Sequence, residues 1–260
     1  MRDLKPFMFT LLSAAFVMGT SGCAIQDKVT LNVSAGVGLT DALIEINCLY
    51  MEINSNIQIL NNFAAAGDLQ TQIENGSPTD VFISAAAAQM NSLEEKELII
   101  AETRRDILQN ELVLIAPMES KLALAGFADL LLDEVELIAM GDPQFVPAGY
   151  YGLQTLELLN ISIIELQPKL ILAANVRQVL SYVESNNVDA GIVYATDAAS
   201  SNLVQLIATA PAAINNTIVY PAAIVTASQN FAAALDYLDY LTSADAEDIF
   251  IKHGFTIINQ

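Results

Sequence analysis

Hydrophobic residues along the chain follow two alternating periods, one typical of strands and one typical of helices. Residues 29–34 are rich in β-branched residues and alternate in polarity, which predicts a strand. A glycine-containing break follows at 35–38, and apolar residues then recur at helical spacing over 39–51. The folded part of the chain therefore begins with a strand, a glycine loop and a helix.

The same order recurs downstream. Further strands are predicted at residues 57–60, 81–84, 112–116, 136–140 and 191–194. Residues 217–220 precede Pro221 and an apolar run at 222–226. Further helices are predicted at residues 69–75, 86–96, 152–159, 176–185, 231–241 and 244–253. Alternation of strands and helices is typical of α/β proteins, in which helices cover mainly parallel sheets.

The chain is long enough to bury one large core or two smaller ones. We interpret the pattern as two lobes, each with a mainly parallel sheet flanked by helices. Lobe one takes residues 29–110 plus 222–260, and lobe two takes 111–221, with crossovers near 110–117 and 220–223. A single doubly wound domain is the alternative, because periodicity does not show which strands share a sheet.

Residues 1–22 are typical of an export signal. Arg2 and Lys5 precede an apolar run over 7–18 that is too short to span a membrane, and small residues then lead into Cys23. A cysteine in this position resembles the bacterial lipobox, which implies a diacylated Cys23 and stable anchoring outside the cytoplasm. Ordinary signal cleavage or a retained anchor are the alternatives.

The charge balance narrows the choice of partners. The sequence has 30 acidic and 10 basic residues, for a formal net charge of −20. Nucleic-acid binding is disfavoured, because no basic stripe exists to displace counterions. The acidity also opposes anion binding at long range, yet salt screens such fields over roughly 8 Å, so local dipoles can still dominate.

The few residues that could carry catalysis or bind a metal form no known pattern. Cys48 lies in an apolar helical pattern and is predicted to be a buried thiol. Two cysteines and the single His253, predicted at the surface, are too widely separated for a metal site. Asp142 and Asp197 are predicted to cap helices and bond loops rather than form an acid/base pair. The sequence contains no nucleophile elbow, P-loop or dinucleotide fingerprint, since the glycines at 36–38 lack the third glycine, so no enzyme is predicted.

Backbone dipoles can bind an anion without catalytic or metal-binding side chains. The start of a helix presents unpaired N–H groups and the positive end of a dipole, so several converging helix starts can hold an oxyanion without a cationic side chain. Four glycine-rich or capped helix starts are suitable, at residues 35–41, 63–69, 141–149 and 175–177. Each one alone is a weak signal, because such turns are routine in α/β folds.

An ordered series of motifs is more specific than any single turn. The motifs are LTDAL (39–43), LQTQIE (69–74), GSPTDVFIS (76–84), GDPQFVPAG (141–149), NVRQVL (175–180), DAGIVYATD (189–197), YP (220–221) and GFTI (254–257). Together they resemble the periplasmic molybdate/tungstate-binding proteins of ABC importers, over nearly all of the chain from residue 29 onward.

The resemblance implies a two-lobed type II periplasmic-binding-protein fold with two crossovers. It also implies closure around a molybdate or tungstate ion, delivery to an ABC permease in the membrane, no catalysis and no cofactor. We further expect a monomer.

The resemblance places the ligand-binding positions at Gly38, Ala66, Ala148, Val176 and Tyr194. The last three agree with the family pattern, with two backbone N–H groups and one phenol hydroxyl. The family has serine at the first two, so this chain keeps the amides there and lacks the hydroxyls. A hydrogen bond to a charged partner contributes roughly 1.5–3 kcal/mol, so losing two weakens binding by about 3–6 kcal/mol unless water replaces them.

Three interpretations follow for the cleft. Oxyanion binding persists at lower affinity, the cleft takes a different small ligand, or the site is inactive in a sound scaffold. If the cleft is inactive or takes a different ligand, the protein is instead a lipid-anchored scaffold or interaction protein with a dead or repurposed cleft.

Overall fold

The computed structural model describes residues 28–258, so the predicted signal peptide and Cys23 lie outside the described residues. The strands are β1 (Val29–Gly36), β2 (Ile57–Ala64), β3 (Val81–Ile83), β4 (Arg105–Gln109), β5 (Leu112–Pro117), β6 (Ile138–Gly141), β7 (Leu170–Ala173), β8 (Ala190–Tyr194), β9 (Val204–Thr209), β10 (Val219–Ile224) and β11 (Thr256–Ile257). The helices are α1 (Thr40–Ile53), α2 (Ala66–Glu74), α3 (Ala87–Glu95), α4 (Pro147–Leu158), α5 (Ile163–Leu166), α6 (Val176–Glu184), α7 (Ala195–Ala199), α8 (Ala212–Asn215), α9 (Phe231–Leu241) and α10 (Ala244–Lys252).

Two sheets divide these strands between them. The first has the order β11-β4-β10-β3-β1-β2 and the second has the order β7-β6-β8-β5-β9. We call the sheets with their flanking helices the first lobe and the second lobe. The alternation of strands and helices is thus confirmed, and a single doubly wound sheet does not describe residues 28–258.

Each sheet is mixed rather than purely parallel. β1, β2 and β3 run parallel in the first lobe, as do β6, β7 and β8 in the second. β10 pairs antiparallel with β3 and β4, and β5 pairs antiparallel with β8 and β9. β5 and β10 are each the first strand after the chain crosses between lobes. The crossing therefore determines that each of them runs opposite to its neighbours in the sheet.

The second crossing lies earlier than the pattern predicts. β9 ends at Thr209 and β10 begins at Val219, so residues 210–218 connect the lobes and Tyr220 already lies in the first sheet. The sequence suggested a break at Pro221, but the strand continues through it. The register of β10 against β4 shifts between Tyr220 and Pro221, and such an irregularity is where a sheet accommodates a proline.

Helix α1 shows how the helical period sets the core. Leu43, Ile46 and Tyr50 are buried against the first sheet. Cys48 is exposed, so the predicted buried thiol is wrong. Each helical residue advances by about 100°, which turns Cys48 to the face opposite Ile46 and Tyr50.

No helix within residues 28–258 is long and apolar enough to cross a membrane.

Candidate functional site

A small cavity lies between the two lobes, where the ends of strands from both sheets meet. Its volume is about 20 Å³. It is lined by Gly36, Val37, Gly38, Ala64, Ala65, Ala66, Ala85, Val146, Pro147, Ala148, Val176 and Tyr194. All five positions predicted from the family resemblance are among these residues. The structure therefore brings them together around one small cavity.

Backbone N–H groups supply the polarity of this cavity. Ala66 and Val176 are the first residues of α2 and α6, and Ala148 follows Pro147 at the start of α4. Gly38 lies in the 3₁₀ turn that leads into α1. The first N–H groups of a helix have no partner within the helix, and they carry the positive end of its dipole. No charged side chain lines the cavity, so the groups at its wall that can donate to an anion are these N–H groups and the Tyr194 hydroxyl.

Local sequence fixes two of these helix starts. A Cβ atom on Gly149 would lie 2.0 Å from the Gly141 carbonyl oxygen, so only glycine allows α4 to begin this close to β6. Asn175 caps α6 by accepting a 2.9 Å hydrogen bond from the Gln178 N–H. These contacts set the positions of Ala148 and Val176.

The Tyr194 hydroxyl already has an acceptor in this structure. Tyr194 belongs to β8 of the second lobe and donates a 3.1 Å hydrogen bond to the Ala85 carbonyl oxygen of the first lobe. Burial raises the pKa of Tyr194 well above its usual value, so the phenol stays protonated. A phenol has one proton to donate, so an oxyanion would have to replace Ala85 as its acceptor.

A buried carboxylate lies behind Gly38. A Cβ atom at position 38 would lie 3.6 Å from Asp197 Oδ1 and 3.7 Å from Oδ2, at ordinary contact distance. The Asp197 side chain is completely buried, and Arg177 Nε lies 2.9 Å from its Oδ1. Neither carboxylate oxygen meets hydrogen-bond geometry with a described group. The predicted capping role of Asp197 is therefore replaced by an ion pair.

Burial governs the ionisation of Asp197. It raises the pKa of this carboxyl to about 6, although the Arg177 guanidinium acts in the opposite direction. An anion placed near Gly38 would meet the field of this pair as well as the backbone dipoles.

The lobes are closed around the cavity. The Gly67 N–H donates a 2.9 Å hydrogen bond to the Phe145 carbonyl oxygen across the cleft. The cavity has room for about one water molecule. A tetrahedral oxyanion is several times larger, so the residues that line the cavity must move apart locally to admit it, and Tyr194 must release Ala85 to donate to the ion.

Further charged and titratable residues lie outside the cavity. Asp68 is exposed and faces a separate space at the cleft mouth together with Asp142 and Phe145. Asp142 accepts a 3.0 Å hydrogen bond from the Gln144 N–H, in keeping with its predicted loop role. His253 is only partly exposed and lies 3.0 Å from Glu45, so its surface prediction holds only in part. Within residues 28–258, no three acidic, histidine or cysteine side chains are placed to hold a metal ion.

Comparisons with known proteins agree with this architecture. A family profile described as bacterial extracellular solute-binding protein matches residues 31–256. A proposed ABC transporter substrate-binding lipoprotein, YvgL, of Bacillus subtilis (strain 168) is 38% identical, covering 95% of this chain and 94% of that protein. The molybdate-binding protein ModA of Haemophilus influenzae (strain ATCC 51907 / DSM 11121 / KW20 / Rd) is 34% identical, covering 95% and 98%.

A solved structure gives the same result for the fold. The substrate-binding domain of a proposed molybdenum ABC transporter from Clostridium difficile is 36% identical. It superposes with a TM-score of 0.68 and covers 88% of this chain and 99% of that one.

Proposed function

Because this chain belongs to the bacterial extracellular solute-binding protein family, we propose that it binds molybdate or tungstate between its lobes and delivers the ion to an ABC permease. The family consists of binding proteins rather than enzymes. In this proposal the N–H groups of Gly38 and Ala66 in the first lobe, and of Ala148 and Val176 in the second, donate to the ion. Tyr194 adds its hydroxyl, and the protein acts as a monomer without a cofactor.

One observation carries the proposal: four helix or turn starts from two lobes converge on a cavity that has no charged side chain. Fixed dipoles in a mostly buried site interact strongly with a dianion, because little solvent competes for the donors. The names of the similar proteins support the same ligand. A ligand can drive closure only by binding the closed state better than the open one, and donors on both lobes provide that difference.

Calorimetric titration tests the proposal directly. We expect molybdate and tungstate to release or absorb heat at a stoichiometry of about one ion per chain and to raise the melting temperature. Sulfate serves as the comparison anion. Absence of both heat and thermal shift with molybdate and tungstate would remove this function and favour a scaffold whose cleft is dead or repurposed.

Replacing Tyr194 by phenylalanine tests the hydroxyl alone. In the bound state this hydroxyl exchanges a neutral acceptor, the Ala85 carbonyl, for a charged one. The net gain is about 0.5–2 kcal/mol, so Tyr194→Phe is expected to weaken molybdate binding about twofold to thirtyfold. Titration of Tyr194→Phe beside Tyr240→Phe, which changes a tyrosine on α9, measures the difference. Equal affinity in wild type and Tyr194→Phe would exclude this tyrosine from the site.

We also propose that a lipid anchor at Cys23 holds the protein on the outer side of the cell membrane. The similar Bacillus subtilis protein is named a lipoprotein, and the lipobox resemblance places acylation at this cysteine. We expect Cys23→Ser to move the protein from the membrane fraction to the soluble fraction, because two acyl chains are lost. Cys48→Ser makes the same chemical change at an exposed position and should leave the protein with the membrane. Membrane retention of Cys23→Ser would contradict the anchor.

A further inference from the structure

Arg177 connects the two lobes beside the cavity. It follows Val176 at the start of α6, in the second lobe. Its Nη2 lies 2.6 Å from Oδ2 of Asp41, which belongs to α1 in the first lobe. Its Nε lies 2.9 Å from Oδ1 of Asp197, in its own lobe. One guanidinium thus joins a carboxylate from each lobe.

The two contacts of Arg177 differ in kind. Asp197 belongs to the same lobe as Arg177, so separation of the lobes does not pull this pair apart. Asp41 is half exposed and belongs to the opposite lobe, so its contact with Arg177 exists only when the lobes are closed. Asp197 therefore holds the guanidinium in place, and Asp41 binds it on closure.

Neighbouring cations do not compete for Asp41. Lys252 and His253 line a second interlobe space of about 160 Å³ together with Arg177 and Asp41. Both of them bind Glu45, at 2.7 Å and 3.0 Å. Among the ion pairs within residues 28–258, the Arg177–Asp41 pair joins the lobes, whereas the others each lie within one lobe.

The pair also lies next to two of the proposed donors. Asp41 follows Gly38 by less than one helical turn, and Arg177 is the residue after Val176. A Cβ atom at position 38 would lie 3.9 Å from Val176 Cγ1, so these two walls of the cavity lie about one side-chain atom apart. An ion pair at this point holds the N–H groups of Gly38 and Val176 at the spacing of the closed cavity.

We propose that Arg177 is a positioning residue that fastens the closed state through Asp41 and thereby slows release of the bound ion. The part concerning ion release rests on the proposed function. The part concerning closure stands on the interlobe geometry alone. The pair is partly exposed, so its effect is modest and weakens as salt screens it.

Asp41→Asn is the cleanest variant, because it removes the interlobe contact and leaves Arg177 paired with buried Asp197. Glu52→Gln is its matched control, since it removes the same charge from an exposed position of α1. Spin labels at Cys48 and at an introduced Glu157→Cys, with Cys23→Ser in every variant, report the interlobe distance by pulsed electron resonance.

We expect Asp41→Asn to lower the closed fraction without ligand and to speed molybdate release about twofold to fivefold. The association rate should stay equal or rise slightly, because more of the ligand-free protein is open, and release should depend less on salt than in the wild type. Glu52→Gln should match the wild type in every measurement.

Two outcomes would overturn the proposal: a wild type with no closed population in the absence of ligand, or an Asp41→Asn closed fraction equal to that of wild type and Glu52→Gln. If the wild type binds neither molybdate nor tungstate, the proposed function fails, and the ligand-free distances still decide the role of Arg177.

Discussion

Restoring serine at positions 38 and 66 together is expected to tighten molybdate binding by roughly two to four powers of ten. Each hydroxyl adds a donor to a charged partner, a contribution of roughly 1.5–3 kcal/mol. The structure has room for the changes. A Cβ atom at position 38 makes only ordinary contacts, and Ala66 is among the residues that line the cavity.

The two positions should not contribute equally. A hydroxyl at position 38 lies within reach of the Asp197 carboxylate, whose oxygens lack hydrogen-bond partners. Its single proton can bond Asp197 instead of the ligand. We therefore expect Ala66→Ser to improve affinity more than Gly38→Ser does.

Titration of both single variants and the double variant with molybdate measures these effects. Ala232→Ser makes the same change on the exposed face of α9 and should leave affinity unchanged. A double variant that binds no better than the wild type would show that the cleft serves another ligand. A gain larger at position 38 than at position 66 would show that Asp197 does not capture the hydroxyl.

Replacing Gly67 by alanine is expected to weaken binding about tenfold to a thousandfold without destabilising the open protein. A Cβ atom at position 67 would lie 2.6 Å from the Phe145 carbonyl oxygen and 2.7 Å from its Cα. Both atoms belong to the backbone of the second lobe, so the lobes of Gly67→Ala cannot approach each other as closely as those of the wild type. The cost combines steric overlap of about 1–3 kcal/mol with loss of the Gly67 to Phe145 hydrogen bond, about 0.5–1.5 kcal/mol.

The open state should tolerate the same change. Gly67 is the second residue of α2, where alanine favours the helix more than glycine does. Gly126→Ala is the matched control, because a Cβ atom there meets nothing within 4 Å and the backbone is extended. Affinity by titration and the melting temperature without ligand separate the two effects. Unchanged affinity in Gly67→Ala would mean that the liganded form holds Gly67 and Phe145 further apart than they lie here.

The sequence predicted the interior strands better than the edge strands. β1, β3, β5, β6 and β8 lie inside their sheets, and their apolar runs predicted them within a few residues. β7 and β9, which form the two edges of the second sheet, were missed because their side chains are only partly buried and give no clear alternation. Two strands depart from this rule. β4 lies inside the first sheet but was missed, because it begins with the charged residues Arg105 and Asp106, and the edge strand β2 was predicted.

The residues of the candidate site were likewise predicted only in part. The motifs alone selected five positions, and the structure places all five around one cavity. They did not select Ala85, Gly67, Phe145 or Arg177, each of which makes a contact between the lobes. Gly67 lies within a quoted helix start, but nothing in the local pattern indicates that its N–H reaches the other lobe.

By itself, the sequence determined the α/β class, the order of most strands and helices, the family and the positions whose amides begin the four helices and turns. Those features depend on periodicity, glycine and capping, which act over a few neighbouring residues. Only the tertiary structure decided that the Tyr194 proton goes to Ala85, that Asp197 lies behind Gly38, and that Arg177 meets Asp41. These contacts join residues more than a hundred positions apart and depend on how two rigid lobes meet, which no local pattern encodes.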